Sequence, residues 1–401
     1  MYTSMFRKAM LGDTATLNLD FTTGTLDSRL TFTRAANTAT YINSSGYVTT
    51  ATANTPRFDY DPVTLAPRGL LVEGTAINSA LYSENINPNS SPQNIYWVVS
   101  GTGASVTPVS QTDPANGSTA SRCVLGTSTV GRVYQAFSTT SGATYTMSFW
   151  AKSVSGNTAL HFWHYNSATS NYTAVAVGTS WARYQVTILA RSGGGFVEFG
   201  IANLTATAAT IDLWGMQIEL GSGASSYIPT GASQVTRNAD ACSMSGSDFT
   251  NVFGDGSLGT IICSHEFPRA DRGVAHQPTP FAIGNYVAAN ARGYSYASYS
   301  AAVAGYGWVY TSASFGSATT SAASAAKNKC GIAYNGLAIT AALNGTTASA
   351  TGTGTITVSS ATGLLIGYNT TPSDFINACV SNIKFYPTAL TAAQLQALTT
   401  P

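Results

Sequence analysis

Tyr306, Trp308 and Tyr310 alternate with Gly307 and Val309. In an extended chain, rising about 3.3 Å per residue, the three rings would line roughly 13 Å of one strand face. Aromatic faces stack on the apolar faces of sugar rings and a tyrosine hydroxyl can bond a sugar hydroxyl, so this row offers glycan-binding chemistry. Tyr294, Tyr296 and Tyr299 stand just upstream. His161, Trp163 and Tyr165 form a second same-face row, with Phe162 and His164 opposite. One face of that strand must be core, and the mixed polarity of the first row makes it the candidate for an exposed groove. A row of rings also fits a core or a contact between copies, and the residues alone leave these readings open.

Catalytic chemistry is harder to place. A glycosidase needs two carboxylates flanking the glycosidic bond, and no such alternating pair is expected among the 17 scattered acidic residues. Glu266 and Asp271 are the nearest pair in the last third, and Pro268 between them argues for a loop. No GxSxG elbow, Walker loop or dinucleotide fingerprint occurs. His161 and His164 are three apart in a strand-like run, which points them to opposite faces and removes them as a chelating pair. Cys123, Cys242, Cys263, Cys330 and Cys379 are odd in number and far apart, without CxxC and with no expected histidine at ligand spacing. They read as buried free thiols. The expectation is a protein that is not an enzyme and has no metal site or cofactor.

The 401 residues exceed the roughly 250–300 at which single cores stop growing, which implies two or three domains. Charged residues are 9% of the chain and the net charge is +1, leaving no basic stripe for nucleic acid. No apolar run is long enough to expect membrane insertion. The start, MYTSMFRKAMLG, lacks the apolar core of a secretory signal, so a mature cytosolic start is expected.

Residues 1–19 read as an N-terminal docking segment carrying Met5, Phe6, Met10 and Leu11. Residues 20–94 give short β-like pieces separated by Gly46, Pro56, Pro62 and Pro67, a small β-region expected to lean on the middle of the chain. Residues 95–220 hold strand-like runs bounded by Gly and Ser, with Trp150, Trp163, Trp181 and Trp214 expected mostly in the core. The last run places Trp214, Met216, Ile218 and Leu220 on one face by strict alternation. Residues 221–242 are a Gly- and Ser-rich linker, and 243–401 a second sandwich. There Asn335-Gly336 and Asn344-Gly345 predict type I′ hairpins, and Thr391 to Gln394 predicts a capping box opening a single short C-terminal helix. The fold class is all-β: tandem β-sandwich (jelly-roll) modules, an extended docking segment, and that helix.

The segment running from TFTRAANTATYIN through PRFDYDP and GLLVEG to INSALYSEN resembles a region that recurs in structural proteins of tailed bacteriophages. YTMSFWAKS, TSWARYQVT and IDLWGMQIELGSGASSYIPT are similar to the carbohydrate-binding-module-like jelly rolls that follow it in those proteins. The hairpins and the ending VSNIKFYPTALTAAQLQAL resemble a concanavalin A/laminin G-like domain. The resemblance implies a virion fibre or spike subunit assembled in the host cytoplasm, joined to other virion proteins through its N-terminus. It also implies a homotrimer, adhesion to host-surface polysaccharide, and room for a structural Ca²⁺ with no ligand set named. Heptads and Gly-X-Y repeats are absent, so trimerisation rests on analogy alone. A capsid-decorating protein without a glycan ligand, and a polysaccharide depolymerase, are the alternatives.

Overall fold

The computed structural model describes residues 15–36, 38–93, 96–126, 131–156, 158–165, 169–190, 195–205, 207–267, 279–284, 293–299, 304–311, 314–320, 327–351, 362–368 and 375–401. For 195–196, 293–299, 304–311 and 314–320 the description covers the backbone only. Met5, Phe6, Met10 and Leu11 lie outside the described residues.

The N-terminal strands are β1 (Leu17–Asp20), β2 (Thr31–Thr33), β3 (Ala39–Ile42), β4 (Val48–Ala51), β5 (Phe58–Tyr60), β6 (Pro67–Val72) and β7 (Ala76–Asn78). The middle of the chain forms β8 (Trp97–Ser100), β9 (Ser105–Gln111), β10 (Ala120–Leu125), β11 (Gly131–Thr139), β12 (Thr144–Ser153), β13 (Thr158–Tyr165), β14 (Ser170–Val177), β15 (Ala182–Leu189), β16 (Gly195–Asn203) and β17 (Ala209–Leu220). After β18 (Val235–Arg237) and β19 (Ala241–Ser245) comes helix α1 (Gly246–Phe253), then β20 (Leu258–Glu266), β21 (Phe281–Gly284), β22 (Gly293–Tyr299), β23 (Ala304–Thr311) and β24 (Ser314–Thr320). The chain ends with β25 (Lys327–Asn335), β26 (Ala338–Leu343), β27 (Thr346–Thr351), β28 (Gly363–Ile366), β29 (Ala378–Tyr386) and α2 (Ala392–Thr399). The protein is all-β, in antiparallel sheets.

The middle sandwich packs sheet β15-β12-β17-β10-β9 on sheet β14-β13-β16-β11-β8. Its core follows from alternation: Tyr145, Met147, Phe149 and Ala151 of β12 meet Leu160 and Phe162 of β13 and Val197, Phe199 and Ile201 of β16. Each fully buried side chain of this size contributes about 1.5–3 kcal/mol.

In β17 the alternation does not run through. Ile211 and Leu213 face the sandwich core, and so do Met216 and Ile218, whereas Trp214 faces outward into a separate cluster and Leu220 is exposed. Gly215, at φ +65°, adopts a left-handed conformation open mainly to glycine. The register of β12 against β17 shifts between Ser148 and Trp150. This is a β-bulge, which inserts one residue and moves every later side chain to the other face.

The N-terminal strands do not form a unit leaning on the middle sandwich. β1 and β6 pair with β29, β5 extends β6, and β2 pairs with β19, so they complete the C-terminal sandwich. Leu17, Leu19, Phe32, Leu70 and Val72 drive this, since they fill the same core as Ile261, Ile332, Ile366 and Phe385. Residues 17–19 are therefore sheet, inside the span expected to dock. The hairpin β3-β4 touches the middle sandwich with its apolar side, placing Ile42 and Val48 against Trp150, Trp214 and Tyr227, and Ala80 and Ile86, just past β7, join the middle core. The expected linker is equally fixed: Ser225, Ser226, Tyr227 and Ile228 are buried and β18 pairs with β7.

Asn344 and Gly345 are both at positive φ, as a type I′ turn requires. The preceding hairpin is offset by one residue: Asn335 pairs with Ala338, so Gly336 and Leu337 are the central positions and Gly336 alone has positive φ. The capping box of α2 is present, with Thr391 and Gln394 exchanging bonds, and Leu395 is buried. Helix α1 was not anticipated; Phe249 and Phe253, one turn apart, are both buried with stacked rings.

Candidate functional site

The two outer faces of the middle sandwich differ in what covers them. On sheet β14-β13-β16-β11-β8, the side turned from the core carries His161, Trp163 and Tyr165 of β13, beside Tyr172 of β14, Glu198 and Gly200 of β16, and Arg132 and Tyr134 of β11. The second expected row is thus real as a face. Trp163 at its centre is only 1% exposed. The Arg132 guanidinium lies 4.1 Å from its ring centroid, Tyr134 meets it edge-on at 5.0 Å, and Tyr165 stacks at 6.5 Å. Tyr134 and Trp163 sit on strands that flank β16, and they reach each other over Gly200, where a Cβ would come within 2.7 Å of Tyr134.

Trp163 therefore pins the platform and does not offer a free face. What the platform offers outward is Tyr172, 39% exposed, with half-buried Tyr165, His161, Tyr134 and Arg132 around the covered indole. Burial, then Glu198, pushes the Tyr134 phenol up, so it remains a neutral donor. His161 Nδ1 and Trp163 Nε1 are buried without a partner. His164, on the opposite side, is pushed down by burial.

Tyr306, Trp308 and Tyr310 fall on β23, between β22 and β24, and their side chains lie outside the described residues.

The opposite outer face carries Trp150 and Trp214, under the β3-β4 hairpin and Tyr227. Beside them lies a buried ionic network that sequence reading missed. Arg57 Nη1 donates to Glu73 at 2.9 Å, to Thr40 O at 2.8 Å and to Ser226 Oγ at 2.8 Å, and Arg57 Nη2 pairs with Asp240. Arg34 reaches Asp240 at 3.1 Å and Arg237 reaches Glu73 at 3.5 Å. Burial opposes the charge on Arg57, but Asp240 and Glu73 outweigh it and hold Arg57 above its ordinary range; burial pushes Arg34 and Arg237 down. Arg57 and Glu73 belong to PRFDYDP and GLLVEG, so those motif pieces tie the N-terminal strands to the segment joining the two sandwiches.

Several of the described carboxylates are committed likewise. Asp59 and Asp61 do stand at alternate positions, contrary to expectation, but both face Arg68, at 3.5 and 2.7 Å. Glu266 pairs with Arg68 at 3.2 Å and with Lys327 at 3.4 Å, while Asp271 lies outside the described residues. Glu219 accepts from Gln217 and Ser225, and Asp212 pairs with Arg122 and Lys152.

All five cysteines are free and buried. Cys263 and His265, two apart on β20, share a face with Cys330 of β25, and their donor atoms lie within 4.8 Å of one another. The expectation of no histidine at ligand spacing thus fails: on a strand, C-x-H puts both side chains on one face. The soft sulfur and nitrogen donors do not suit Ca²⁺, which takes oxygen ligands. Burial pushes the Cys330 thiol up and the His265 imidazole down to about 4, so both stay neutral.

No family model and no curated protein matches this chain. Among solved structures it is similar to the CBM22-1 xylan-binding domain of Paenibacillus barcinonensis Xyn10C, at 17% identity and TM-score 0.29, over 37% of this chain and 96% of that one. The tandem CBM22-1–CBM22-2 domain of the same protein matches over 79% of this chain and 99% of its own, at 14% identity and TM-score 0.29. The enzymatically active domain of tailspike protein 4 of bacteriophage CBA120 matches over 36% of this chain and 21% of that one, at 17% identity and TM-score 0.27.

Proposed function

We propose that this chain is a non-enzymatic structural subunit of a tailed-phage fibre or spike, and that the outer face of its middle sandwich adheres to host-surface polysaccharide. The observation that carries the adhesive role is the aromatic and cationic platform of Tyr172, Tyr165, Tyr134, His161 and Arg132, set on a sheet whose other side is sandwich core. Flat rings beside hydrogen-bonding groups suit the alternating apolar and hydroxyl faces of pyranose rings. A binding rather than hydrolytic role is supported by the acidic side chains: Asp59, Asp61, Glu73, Asp212, Glu219, Asp240 and Glu266 are each held by ion pairs or hydrogen bonds. The virion role is supported by the phage-like motif pieces, and trimer formation and attachment through residues 1–14 belong to the same proposal.

A printed array of bacterial surface polysaccharides tests the adhesive half. Tyr172→Ala should weaken binding about tenfold or more, the scale of one lost stacking ring, while changing stability by no more than about 0.5 kcal/mol, as surface substitutions do. An array profile unchanged by Tyr172→Ala would refute the platform as the adhesive surface. Antibody labelling of purified particles, with sedimentation of the recombinant chain, tests the virion and trimer halves.

A further inference from the structure

A cleft of about 320 Å³ lies between the edge of the middle sandwich and the turn joining β5 to β6. Its floor is aromatic, from Trp150 and Trp181, and its walls carry Arg68, Arg183, Gln185 and Asp59. That volume is at the lower end of the range for small-molecule sites, and aromatic walls with a few fixed polar groups are the usual make-up of such sites. A hollow of about 400 Å³ between β25-β26-β27 and the segment leading into α2 is lined by Ala, Thr, Ser, Ile and Leu around one Asn, with neither ring nor charge to recognise a ligand.

We infer that the Trp150–Trp181 cleft is a second saccharide site, distinct from the outer-face platform and assembled by two parts of the chain. Three features point to a sugar. Trp181 is half-buried, with the Lys152 ammonium 5.1 Å from its ring centroid, so it presents apolar surface at the edge of a charged rim. Trp150, 7% exposed, lines the same cleft and adds a second apolar ring to its floor. The polar walls are already fixed: Arg183 is held by Ser225 O at 2.7 Å and Ser148 Oγ at 2.9 Å, and Arg68 by Asp61 at 2.7 Å. Asp59 and Asp61 beside Arg68 and Arg183 set two carboxylates against two cations, a balance that favours a hydroxyl-rich neutral ring over a polyanion. Val63, 81% exposed on the turn above, marks the open mouth.

The ligand class rests on the glycan reading proposed above, whereas the site rests on the cleft. The test compares the full-length chain with Trp181→Ala, Ala182→Phe and Tyr172→Ala on the polysaccharide array, with titration of each hit. Trp181→Ala removes the stacking ring; Ala182→Phe fills the cleft without removing a contact, and a melting curve confirms that each variant is folded. The expected result is that both cleft variants lose about tenfold or more in affinity for at least one polysaccharide that Tyr172→Ala still binds. Unchanged affinities in both cleft variants, with loss in Tyr172→Ala, overturn the cleft and leave the platform standing. Loss in the cleft variants alone keeps the cleft and removes the platform. A wild-type chain that binds nothing on the array overturns both.

Discussion

The two outer faces of the middle sandwich carry similar side chains and have opposite fates. Trp150 and Trp214 on one face, and Trp163 on the other, are all nearly buried. Trp150 and Trp214 are covered by a foreign segment, the β3-β4 hairpin with Tyr227. Trp163 is covered by its own sheet, through Arg132, Tyr134 and Tyr165. Burial of a tryptophan therefore does not show which face has a partner; the origin of the covering residues does. A face closed by another part of the chain is a joint, and a face closed by itself is left free to meet something else.

The joint should be the more fragile of the two. Replacing Arg57 by Ala leaves Glu73 and Asp240 without their shared cation in a dry site, and breaking one member of a buried ion pair costs about 3–5 kcal/mol. Urea denaturation would show this as a lower midpoint. Loss below 1 kcal/mol would mean that Arg34 and Arg237 can replace it, making the network redundant. On the self-covered face, Trp163→Ala should cost about 3 kcal/mol, at the low end for buried aromatic truncation because the space opens toward solvent. If Trp163→Ala proves the more costly variant, the self-covered face is the stronger element and the comparison inverts.

Much of this was legible in the residues. The sandwich strands, the capping box of α2 and the shared face of His161, Trp163 and Tyr165 follow from a period of two or from local capping chemistry. What escaped were pairings set over long separations. Leu17 alternates as any edge strand would and Leu70 opens a short apolar run, and nothing in their neighbours says that β29 rather than the middle sandwich is the partner. Arg57 reaches Asp240, 183 positions away, and a lone arginine in PRFDYDP reads as surface. The Cys263-x-His265 spacing was visible, but only strand geometry makes it a same-face pair, and Cys330 joins it through sheet pairing.

Acid extends the comparison to the second sandwich. His265 is fully buried and pushed down to about 4, whereas His164 in the middle sandwich is half-buried and also pushed down. A histidine held neutral when folded, but titrating near 6.5 when unfolded, contributes its full stability above about pH 6.5. That contribution is lost as pH falls from 6.5 to 4, because the unfolded chain takes up the proton first. For His265 the loss across that window is about 3 kcal/mol. Denaturation at pH 7.5 and 4.5 should show a smaller pH effect in His265→Gln than in the parent, and equal effects would remove His265 as the source.

The smallest effect tests how the joint acquires its tryptophan. Gly215 sits at φ +65°, and a Cβ there would meet Trp150 Cδ1 at 3.2 Å and Tyr227 Cε2 at 3.3 Å. These contacts are tight but yield to small side-chain shifts, so the main cost of Gly215→Ala is the left-handed backbone, about 1–2 kcal/mol. The consequence beyond that cost is geometric. With the bulge, Leu213 and Met216 both face the core while Trp214, Gln217 and Glu219 face the joint; without it, strict alternation would turn Glu219 toward the sandwich interior with Leu213. Burying that carboxylate among apolar side chains is far more costly than the strain, so the chain should keep the bulge and accept the loss. Gly215→Ala should therefore melt a few degrees lower with its Trp214 and Tyr227 near-ultraviolet signals unchanged. A variant that retained full stability with altered tryptophan signals would show that the register of β17 is set elsewhere.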